Sequence, residues 1–391
     1  MQDTVIRDDA QLRGLHVALI APISWPTPPP AYGPWEQVAA NIAEGLVQRG
    51  VDVTVFATGN SHPSGRLAWT VPVGLNEDPA LNPEVYTGLH IARVFERATD
   101  FDLIHNNLDW KPLTYALATK KPPLLTTVHG FSSPPILGAY YAAAERSFYA
   151  SISDADRDPG LAYAATVYNG IDPNEFTFVE RPGDYLVFLG RFHEEKGAHL
   201  AIKVAKRAGV RLKIAAIHQD IAYFQTRIAP HLDGDRVQYL GAVDRRRRNE
   251  LLGGALGLVH MTTRPERFGL VLTEAMACGT PVLGARMGSI PEIVDEGVTG
   301  FLCDDVADAV RKVPQLATID RAACRRRVET TFSLQRMVDR YCEVYAFMLR
   351  TGTPQAPTEE QLRWRAHDWW DRPMAFTDIP PKPASIQQRL L

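Results

Sequence analysis

The residues best suited to chemistry lie in the segment 265–282, where seven residues separate two glutamates. Glu266 falls in a loop after a predicted strand, and Glu274 falls in the helix predicted to follow that loop. Between them, Phe268, Gly269 and Leu270 supply backbone amides at the helix N-terminus, where unpaired N–H groups favour anions or polarised oxygens. The spacing therefore indicates a polar, partly anionic ligand. For an isolated pair, a helix cap at Glu266 and a solvated helix face at Glu274 would be the favoured interpretation, but the whole segment 265–282 favours a ligand site.

A second charged group lies in the segment Gly190–Gly197, directly after a predicted strand. Arg191 and Lys196 stand five positions apart in this loop, so the two cations can converge on a diphosphate. Arginine offers a fork of donors and lysine a compact charge. The alternative is a solvated pair that bridges to Glu194 or Glu195.

Two residues of the first half could complete the same site. Gly33 lies in the loop after the first predicted strand, where a glycine lets the backbone approach a phosphate closely. Pro34 follows it and removes one backbone donor, so the alternative is a turn that only shapes the next helix. His129 ends a predicted strand and is expected to point into a cleft, against the alternative of a structural histidine that caps the loop.

These candidates are positioned by an alternation of strands and helices that occurs twice. The first half predicts a buried strand at Leu15–Ala21, a helix from Glu36 to Gly50 and a strand at Val51–Ala57. Further strands of the first half are predicted at 103–105, 124–127, 148–151 and 165–167. The second half predicts a helix at 198–208 and strands at 185–189, 212–216, 237–240, 256–260, 281–284 and 300–302. Alternation of this kind implies parallel sheets covered by helices.

The fold class is therefore α/β, with two Rossmann-like, doubly wound domains that face a central cleft. Turn-forming residues at Tyr168–Pro173 mark the hinge, so we predict an N-terminal domain at 1–172 and a C-terminal domain at 173–333. Residues 334–391 are predicted to form a helix and a tail that cross back to the first domain. The tail is expected to dock because exposed tryptophans are costly to solvate, and it contains Trp364, Trp369 and Trp370.

Composition narrows the class of protein. The chain has 391 residues, 45% of them hydrophobic and 22% charged, with a formal net charge of -3. Neither disorder nor a broad attraction to nucleic acid is indicated. No stretch approaches the roughly 20 apolar residues that a membrane-spanning helix needs, and the first fourteen residues lack the apolar core of a secretion signal. The expected compartment is the cytoplasm, without an integral membrane segment.

The motifs together resemble the retaining family 4 glycosyltransferases, which have the GT-B architecture. Glu266 and Glu274 match that family's Glu-x7-Glu motif, and the segment Gly190–Gly197 is similar to its Gly-Arg-x4-Lys-Gly element. The resemblance covers about residues 14–350. It implies that Glu266 contacts the donor hexose and that Glu274 binds the ribose of the nucleotide. The amides of residues 268–270 would hold sugar and phosphate oxygens.

The same resemblance assigns the remaining residues. Arg191 and Lys196 would neutralise the leaving diphosphate, and His129 would approach the donor sugar in a Thr-x-His-Gly position. Family members commonly carry paired glycines where this chain has Gly33 and Pro34, which places that donor contact in question. Segments near Gly33 and at 56–61 are similar to members that modify small molecules, including antibiotic-tailoring enzymes.

The implied reaction is transfer of a hexosyl group from a UDP- or GDP-sugar to a hydroxyl group of a small molecule or glycan. No cofactor or metal is expected, because cationic side chains stand where a metal would. The alternatives are a non-catalytic nucleotide-sugar-binding subunit, or a nucleotide-sugar epimerase of GT-B fold. Two patterns are interpreted as structural: Asp154-Ala155-Asp156 as capping at a helix start after Ser153, and Arg245–Arg248 as a solvated helix face.

Overall fold

The computed structural model describes residues 12–366, apart from positions 31, 120, 121 and 132. Two parallel sheets dominate the architecture. The first sheet contains β1 (His16–Ile20), β2 (Asp52–Ala57), β3 (Arg66–Trp69), β4 (Leu103–Asn106), β5 (Leu124–Val128), β6 (Ser147–Ser151) and β7 (Ala165–Thr166). The second contains β8 (Tyr185–Phe192), β9 (Arg211–His218), β10 (Val237–Tyr239), β11 (Gly257–His260), β12 (Val282–Ala285) and β13 (Gly300–Cys303).

The strand orders are those of doubly wound sheets. The first sheet has the order β3-β2-β1-β4-β5-β6-β7 and the second has the order β10-β9-β8-β11-β12-β13. Each order reverses direction at one point, between β1 and β4 and between β8 and β11, where adjoining loops turn to opposite faces. The predicted α/β class with two doubly wound sheets is confirmed.

Helices cover both faces of the sheets. Those of the first half are α1 (Pro34–Gln48), α2 (Pro83–Glu96), α3 (Lys111–Ala116) and α4 (Leu137–Ala142). Those that follow are α5 (Ala198–Ala208), α6 (Ile221–Tyr223), α7 (Arg245–Gly253), α8 (Leu270–Ala277), α9 (Ile290–Ile293), α10 (Val306–Lys312), α11 (Arg321–Thr331), α12 (Leu334–Thr351) and α13 (Glu359–Ala366). Side-chain oxygens of Asn82, Asp244 and Ser333 accept hydrogen bonds from the first turns of α2, α7 and α12.

The strands are apolar because helices bury them on both faces. Separate clusters of buried side chains cover the two faces of the first sheet, and a larger cluster surrounds the second. Two sequence predictions differ from the structure. Strand β3 was not predicted, because it is a short edge strand whose ends are exposed. The helix expected after Ser153 is wrong, since residues 154–156 form a bend and a turn.

Helix α12 follows the second sheet in sequence and packs against the first. Its Tyr345 hydroxyl lies 2.8 Å from Nδ1 of His105, and its Tyr341 hydroxyl lies 3.0 Å from the Thr127 hydroxyl. His105 and Thr127 belong to β4 and β5 and are buried. Burial lowers the pKa of His105 to about 3, so this imidazole is neutral inside the first core. The chain thus crosses back over the first sheet after residue 333.

The described part of the tail lies on the same half. Nε of Arg365 in α13 donates to the carbonyl oxygen of Gly160 at 2.9 Å, and the guanidinium lies 5.1 Å from the ring centroid of Tyr141. A Cβ on Gly160 would come within 2.8 Å of the Trp364 ring, so that ring also packs here. The docking expected of Trp369 and Trp370 lies outside the described residues.

Candidate active site

Loops that follow β1, β5, β8 and β11 line one cleft of about 790 Å³ between the two sheets. This is the edge at which ligands bind in doubly wound folds, because the strand order reverses there. All nine residues singled out from the sequence line the cleft: Gly33, His129, Arg191, Lys196, Glu266, Phe268, Gly269, Leu270 and Glu274. The structure therefore brings the candidates from both halves into one site.

Glu266 is the most constrained carboxylate of this cleft. Its two oxygens accept hydrogen bonds from Nζ of Lys196 at 2.9 and 2.7 Å, and Oε2 also accepts from Nε2 of His260 at 2.8 Å. Burial raises the pKa of Glu266, but the His260 hydrogen bond and the Lys196 charge outweigh it and hold the pKa well below its usual range. Glu266 is therefore an ionised carboxylate with a fixed orientation.

His260 is a residue of this site that the sequence interpretation missed. It is the last residue of β11, it is 3% exposed, and its Nδ1 has no hydrogen-bond partner among the described residues. A histidine at the carboxyl end of a parallel strand is the same signal that singled out His129, and it could have identified His260 as well.

The start of helix α8 lies beside Glu266, as the sequence predicts. Gly269 caps the helix, and Phe268 is buried directly before it. The neighbouring loop supports both residues, because the backbone N–H of Ser289 donates to the Glu266 carbonyl and the Ser289 hydroxyl donates to the Phe268 carbonyl, each at 3.0 Å. The amides at the start of α8 thus open onto the cleft next to an oriented carboxylate.

Glu274, one turn into the same helix, is buried and has a cationic partner. NH1 of Arg248 lies 2.9 Å from its Oε1. Burial raises the pKa of Glu274, and the charge of Arg248 opposes that shift. Arg248 was interpreted as part of a solvated face, which is wrong for this residue, because its side chain is 24% exposed and lines the cleft.

The two cations of the β8 loop have different partners. Arg191 donates to Oε1 of Glu195 at 2.7 Å and to Oε1 of Gln219 at 2.6 Å. Lys196 pairs across the site with Glu266 instead of with a neighbouring loop carboxylate. The bridging alternative considered for this loop therefore holds for Arg191 and not for Lys196, and both side chains remain at the cleft surface.

His129 faces the cations from the first half. Its Nε2 lies 3.0 Å from Oδ1 of Asn107, and its ring stacks on that of Trp35 with centroids 5.9 Å apart. Burial lowers the pKa of His129 to about 4, so the ring is neutral at pH 7. Because a carbonyl oxygen only accepts, Nε2 carries the proton in this hydrogen bond.

Gly33 and Pro34 form a close-packed start to helix α1. A Cβ at Gly33 would lie 2.8 Å from Cβ of Pro29 and 3.1 Å from Oε2 of Glu36, so a larger residue does not fit. Pro34 occupies the first helical turn, where a missing N–H is tolerated. The glycine-proline pair therefore forms the start of helix α1.

Residues 153–156 contact the opposite half of the molecule. Asp156 is buried and forms an ion pair with Arg267, whose NH2 also donates to the carbonyl of Phe131 at 3.0 Å. The Ser153 hydroxyl donates to the Arg267 carbonyl at 2.7 Å. Carboxylate oxygens of Glu292 accept from the backbone N–H groups of residues 154 and 155. The capping role predicted for this segment is thus replaced by contacts that join the two walls of the cleft.

Two further features concern metals and membranes. Among the described residues, no group of three or more His, Cys, Asp or Glu side chains is placed to hold a metal ion. Within the same residues, no helix combines the length and apolar character needed to cross a bilayer.

The facing parallel sheets and the cleft between them, lined by cationic side chains, are the arrangement of a glycosyltransferase of GT-B fold, a class that uses a nucleotide-sugar donor. The family model for glycosyl transferases group 1 matches residues 175–329, and that for Glycosyltransferase Family 4 matches residues 35–157. The chain belongs to the family 4 glycosyltransferases and is a transferase, as the sequence motifs predicted.

Individual relatives differ in their named activities. Glycogen synthase of Mycobacterium tuberculosis is 27% identical over 397 residues, covering 83% of this chain and 93% of the relative. N-acetyl-alpha-D-glucosaminyl L-malate synthase of Bacillus anthracis is 37% identical over 124 residues, covering 30% and 32%. Among solved structures, AviGT4, a glycosyltransferase involved in avilamycin A biosynthesis, has a TM-score of 0.65 at 25% identity and covers 87% of this chain and 100% of its own.

Proposed function

We propose that the protein transfers a hexosyl group from a UDP- or GDP-sugar to a hydroxyl group, with retention of the anomeric configuration. The observation that carries this proposal is the convergence of Arg191, Lys196 and Glu266 at one edge of the second sheet, opposite His129. The arrangement offers cations to a departing diphosphate and a carboxylate to a sugar that develops positive character.

The second half would hold the nucleotide. Lys196 has three donors and directs two hydrogen bonds to Glu266, which leaves the third for a phosphate oxygen. Arg191 would release its hydrogen bond to Gln219 or Glu195 and donate instead to the diphosphate through its guanidinium group. Glu274, kept in place by Arg248, would accept hydrogen bonds from the ribose hydroxyls.

Glu266 would orient the hexose and is poorly suited to act as a nucleophile. Its oxygens already accept hydrogen bonds from Lys196 and His260, which lower the reactivity of the carboxylate toward an anomeric carbon. We therefore propose that the acceptor hydroxyl attacks the anomeric carbon on the face from which the diphosphate leaves. The bond from the anomeric carbon to the diphosphate oxygen breaks, the acceptor oxygen bonds to that carbon, and the acceptor proton passes to the leaving phosphate oxygen.

His129 would contact the sugar from the first half. Because its ring is neutral, it can approach the positive character of the reacting sugar without charge repulsion. Its hydrogen bond to Asn107 and its contact with Trp35 fix the ring plane. Arg191 and Lys196 supply the charge that a divalent metal would otherwise supply, so we propose that transfer continues when divalent metals are chelated.

Thermal stabilisation by a panel of nucleotides and nucleotide sugars tests the donor site. A ligand at one hundred times its Kd stabilises the native state by about 2.7 kcal/mol, which raises the melting temperature measurably. We expect a shift with one nucleotide class that is lost in Glu274→Ala and Arg191→Ala. The matched control is Arg246→Ala, because Arg246 lies on α7 with a side chain 77% exposed and pairs only within its helix in the described contacts. No shift with any nucleotide would contradict the proposal.

The stereochemistry needs a separate measurement. The anomeric proton of the first product, observed by NMR before any mutarotation, should show the configuration of the donor sugar. A product of inverted configuration would contradict the assigned face of attack while leaving the donor site intact.

A further inference from the structure

Aromatic side chains form one wall of the cleft, and the donor assignments above do not use them. Trp25, Tyr32 and Trp35 come from the β1 loop and the start of α1, and Phe131 comes from the β5 loop. We call these four residues the aromatic wall. Tyr32 is 41% exposed and Trp35 is 37% exposed. Large aromatic groups that stay exposed inside a cleft are typical of ligand contact surfaces.

Contacts with neighbouring residues hold Trp35 and Trp25 of the aromatic wall in position. Trp35 is the second residue of α1, and its ring stacks on the His129 ring with an interplanar angle of 28°. The Glu36 carboxylate accepts a hydrogen bond from the backbone N–H of Trp25 at 3.2 Å and so ties the β1 loop to the helix. With one face of its ring against His129, Trp35 can offer its exposed part to a ligand beside the reaction centre.

Charge is divided unequally between the two walls. The cations that line the cleft are contributed by the second half of the chain: Arg191, Lys196, Arg245, Arg248, Arg264 and Arg267. Among the described residues that line it from the first half, none is lysine or arginine, and the charged ones are Glu36 and Asp172. Uncharged amide side chains also line the cleft from the first half, namely those of Gln37, Asn41 and Asn76.

The unequal distribution of charged side chains between the two walls favours one class of acceptor over another. The cations that reach the first wall already have partners: Arg267 pairs with Asp156, and Arg245 pairs with Glu175 and donates to Gln37. A phosphorylated or carboxylated acceptor on this wall would have to displace these partners to be neutralised, which disfavours it. An uncharged sugar ring suits the same surface. Its apolar C–H face can lie on the negative face of an aromatic ring, and its hydroxyls can reach the amides.

We propose that the acceptor is an uncharged saccharide whose ring stacks on the exposed part of Trp35, with Tyr32 beside it. This inference rests on the proposed function, because it concerns the second substrate of the same site. The acceptor ring then lies on the first wall, and its hydroxyl reaches the anomeric carbon on the face from which the diphosphate leaves, as the proposed retention requires. Trp35 is thereby a determinant of acceptor specificity.

Paired acceptors that differ in charge test the proposal on the full chain. With the donor found in the thermal panel, transfer is measured to methyl glucoside and maltotetraose, and to glucose 6-phosphate and malate as anionic counterparts. Transfer to 2-naphthol tests an aromatic alcohol in place of a sugar. We expect product with a neutral saccharide at a kcat/KM at least about tenfold above that of either anion, because the cations that reach the first wall already have partners.

Substitution of Trp35 tests the contact itself. Trp35→Leu is expected to raise the saccharide KM about tenfold, and Trp35→Phe to raise it less, because phenylalanine retains an aromatic face. In both variants the saccharide KM should change more than the donor KM. The matched control is Trp69→Leu, since Trp69 lies on edge strand β3, is 55% exposed and is not among the cleft-lining residues. The nucleotide-induced thermal shift reports whether each variant is folded.

The outcomes separate this inference from the proposed function. Transfer to malate, glucose 6-phosphate or 2-naphthol in preference to both saccharides would overturn the acceptor class while supporting the transferase. Saccharide transfer with an unchanged KM in Trp35→Leu would overturn the stacking contact. Wild-type protein that neither binds nor consumes any nucleotide sugar would overturn both proposals together.

Discussion

Gly288 lies directly against the backbone of Glu266, and its replacement by alanine should disturb that carboxylate selectively. A Cβ at position 288 would be 2.4 Å from the Glu266 carbonyl oxygen and 2.5 Å from the Glu266 nitrogen. Both atoms belong to the backbone, so no rotamer change can relieve the contact. Restoring an ordinary separation requires a displacement of about 1 Å at Glu266.

The effect on catalysis can be estimated from that displacement. A misplacement of about 1 Å near a reaction centre costs up to about 100-fold in rate. Alanine at the Gly288 φ of +57° also adds about 1 to 2 kcal/mol of backbone strain. Gly297→Ala is the matched control, because its φ is +76° and its Cβ would meet no atom within 4 Å. The control carries the backbone strain without the displacement.

The measurements are kcat for hexosyl transfer, or for slow donor hydrolysis, together with the melting temperature of each variant. Both alanine variants should melt below the wild type, and Gly288→Ala should in addition lose about 10- to 100-fold in kcat. If Gly288→Ala and Gly297→Ala have the same kcat, the reasoning that links the 288 loop to Glu266 is refuted.

Two further predictions concern ion pairs. Burial raises the pKa of Asp156 to about 6. Between pH 4 and 6 the native state therefore binds more protons than the unfolded state, and its stability falls as the pH rises. Asp156→Asn lacks this loss, so the melting temperature of the wild type should fall relative to that of the variant over this range. Equal pH profiles would show that the Arg267 pair offsets burial. Arg248→Ala should leave Glu274 without its cation and lower nucleotide affinity about tenfold or more, judged by thermal shift, whereas Arg246→Ala should not.

The sequence predicts the buried elements well because their patterns are local. Twelve of the thirteen strands follow apolar runs, and helix α5 begins and ends at the predicted residues, Ala198 and Ala208. Strand β3 lacks such a run, because Arg66–Trp69 lies on the edge of the sheet and faces solvent at both ends. Its pairing with β2 depends on a neighbour in space, which a local pattern does not contain.

Asp156 and Arg267, unlike His260, could not be assigned to the site from a local pattern. Asp156 and Arg267 are distant in sequence and meet only because the two sheets face each other. A carboxylate after Ser153 has the same appearance whether it caps a helix or pairs with a guanidinium across a cleft. Capping is the commoner use of such residues at a helix start, so a prediction from local chemistry favours it.

Helical periodicity could have shown which of the arginines at 245–248 line the cleft and which do not. Positions three apart share a helix face, so Arg245 and Arg248 lie together, and both line the cleft, while Arg246 and Arg247 pair with Glu250 on the same helix. The cleft-facing pair extends the cationic wall toward the buried Glu274. Because the opposite wall offers aromatic rings and amides, the asymmetry between the two sheets supports the proposed arrangement, in which the anionic donor binds on one wall and an uncharged acceptor binds on the other.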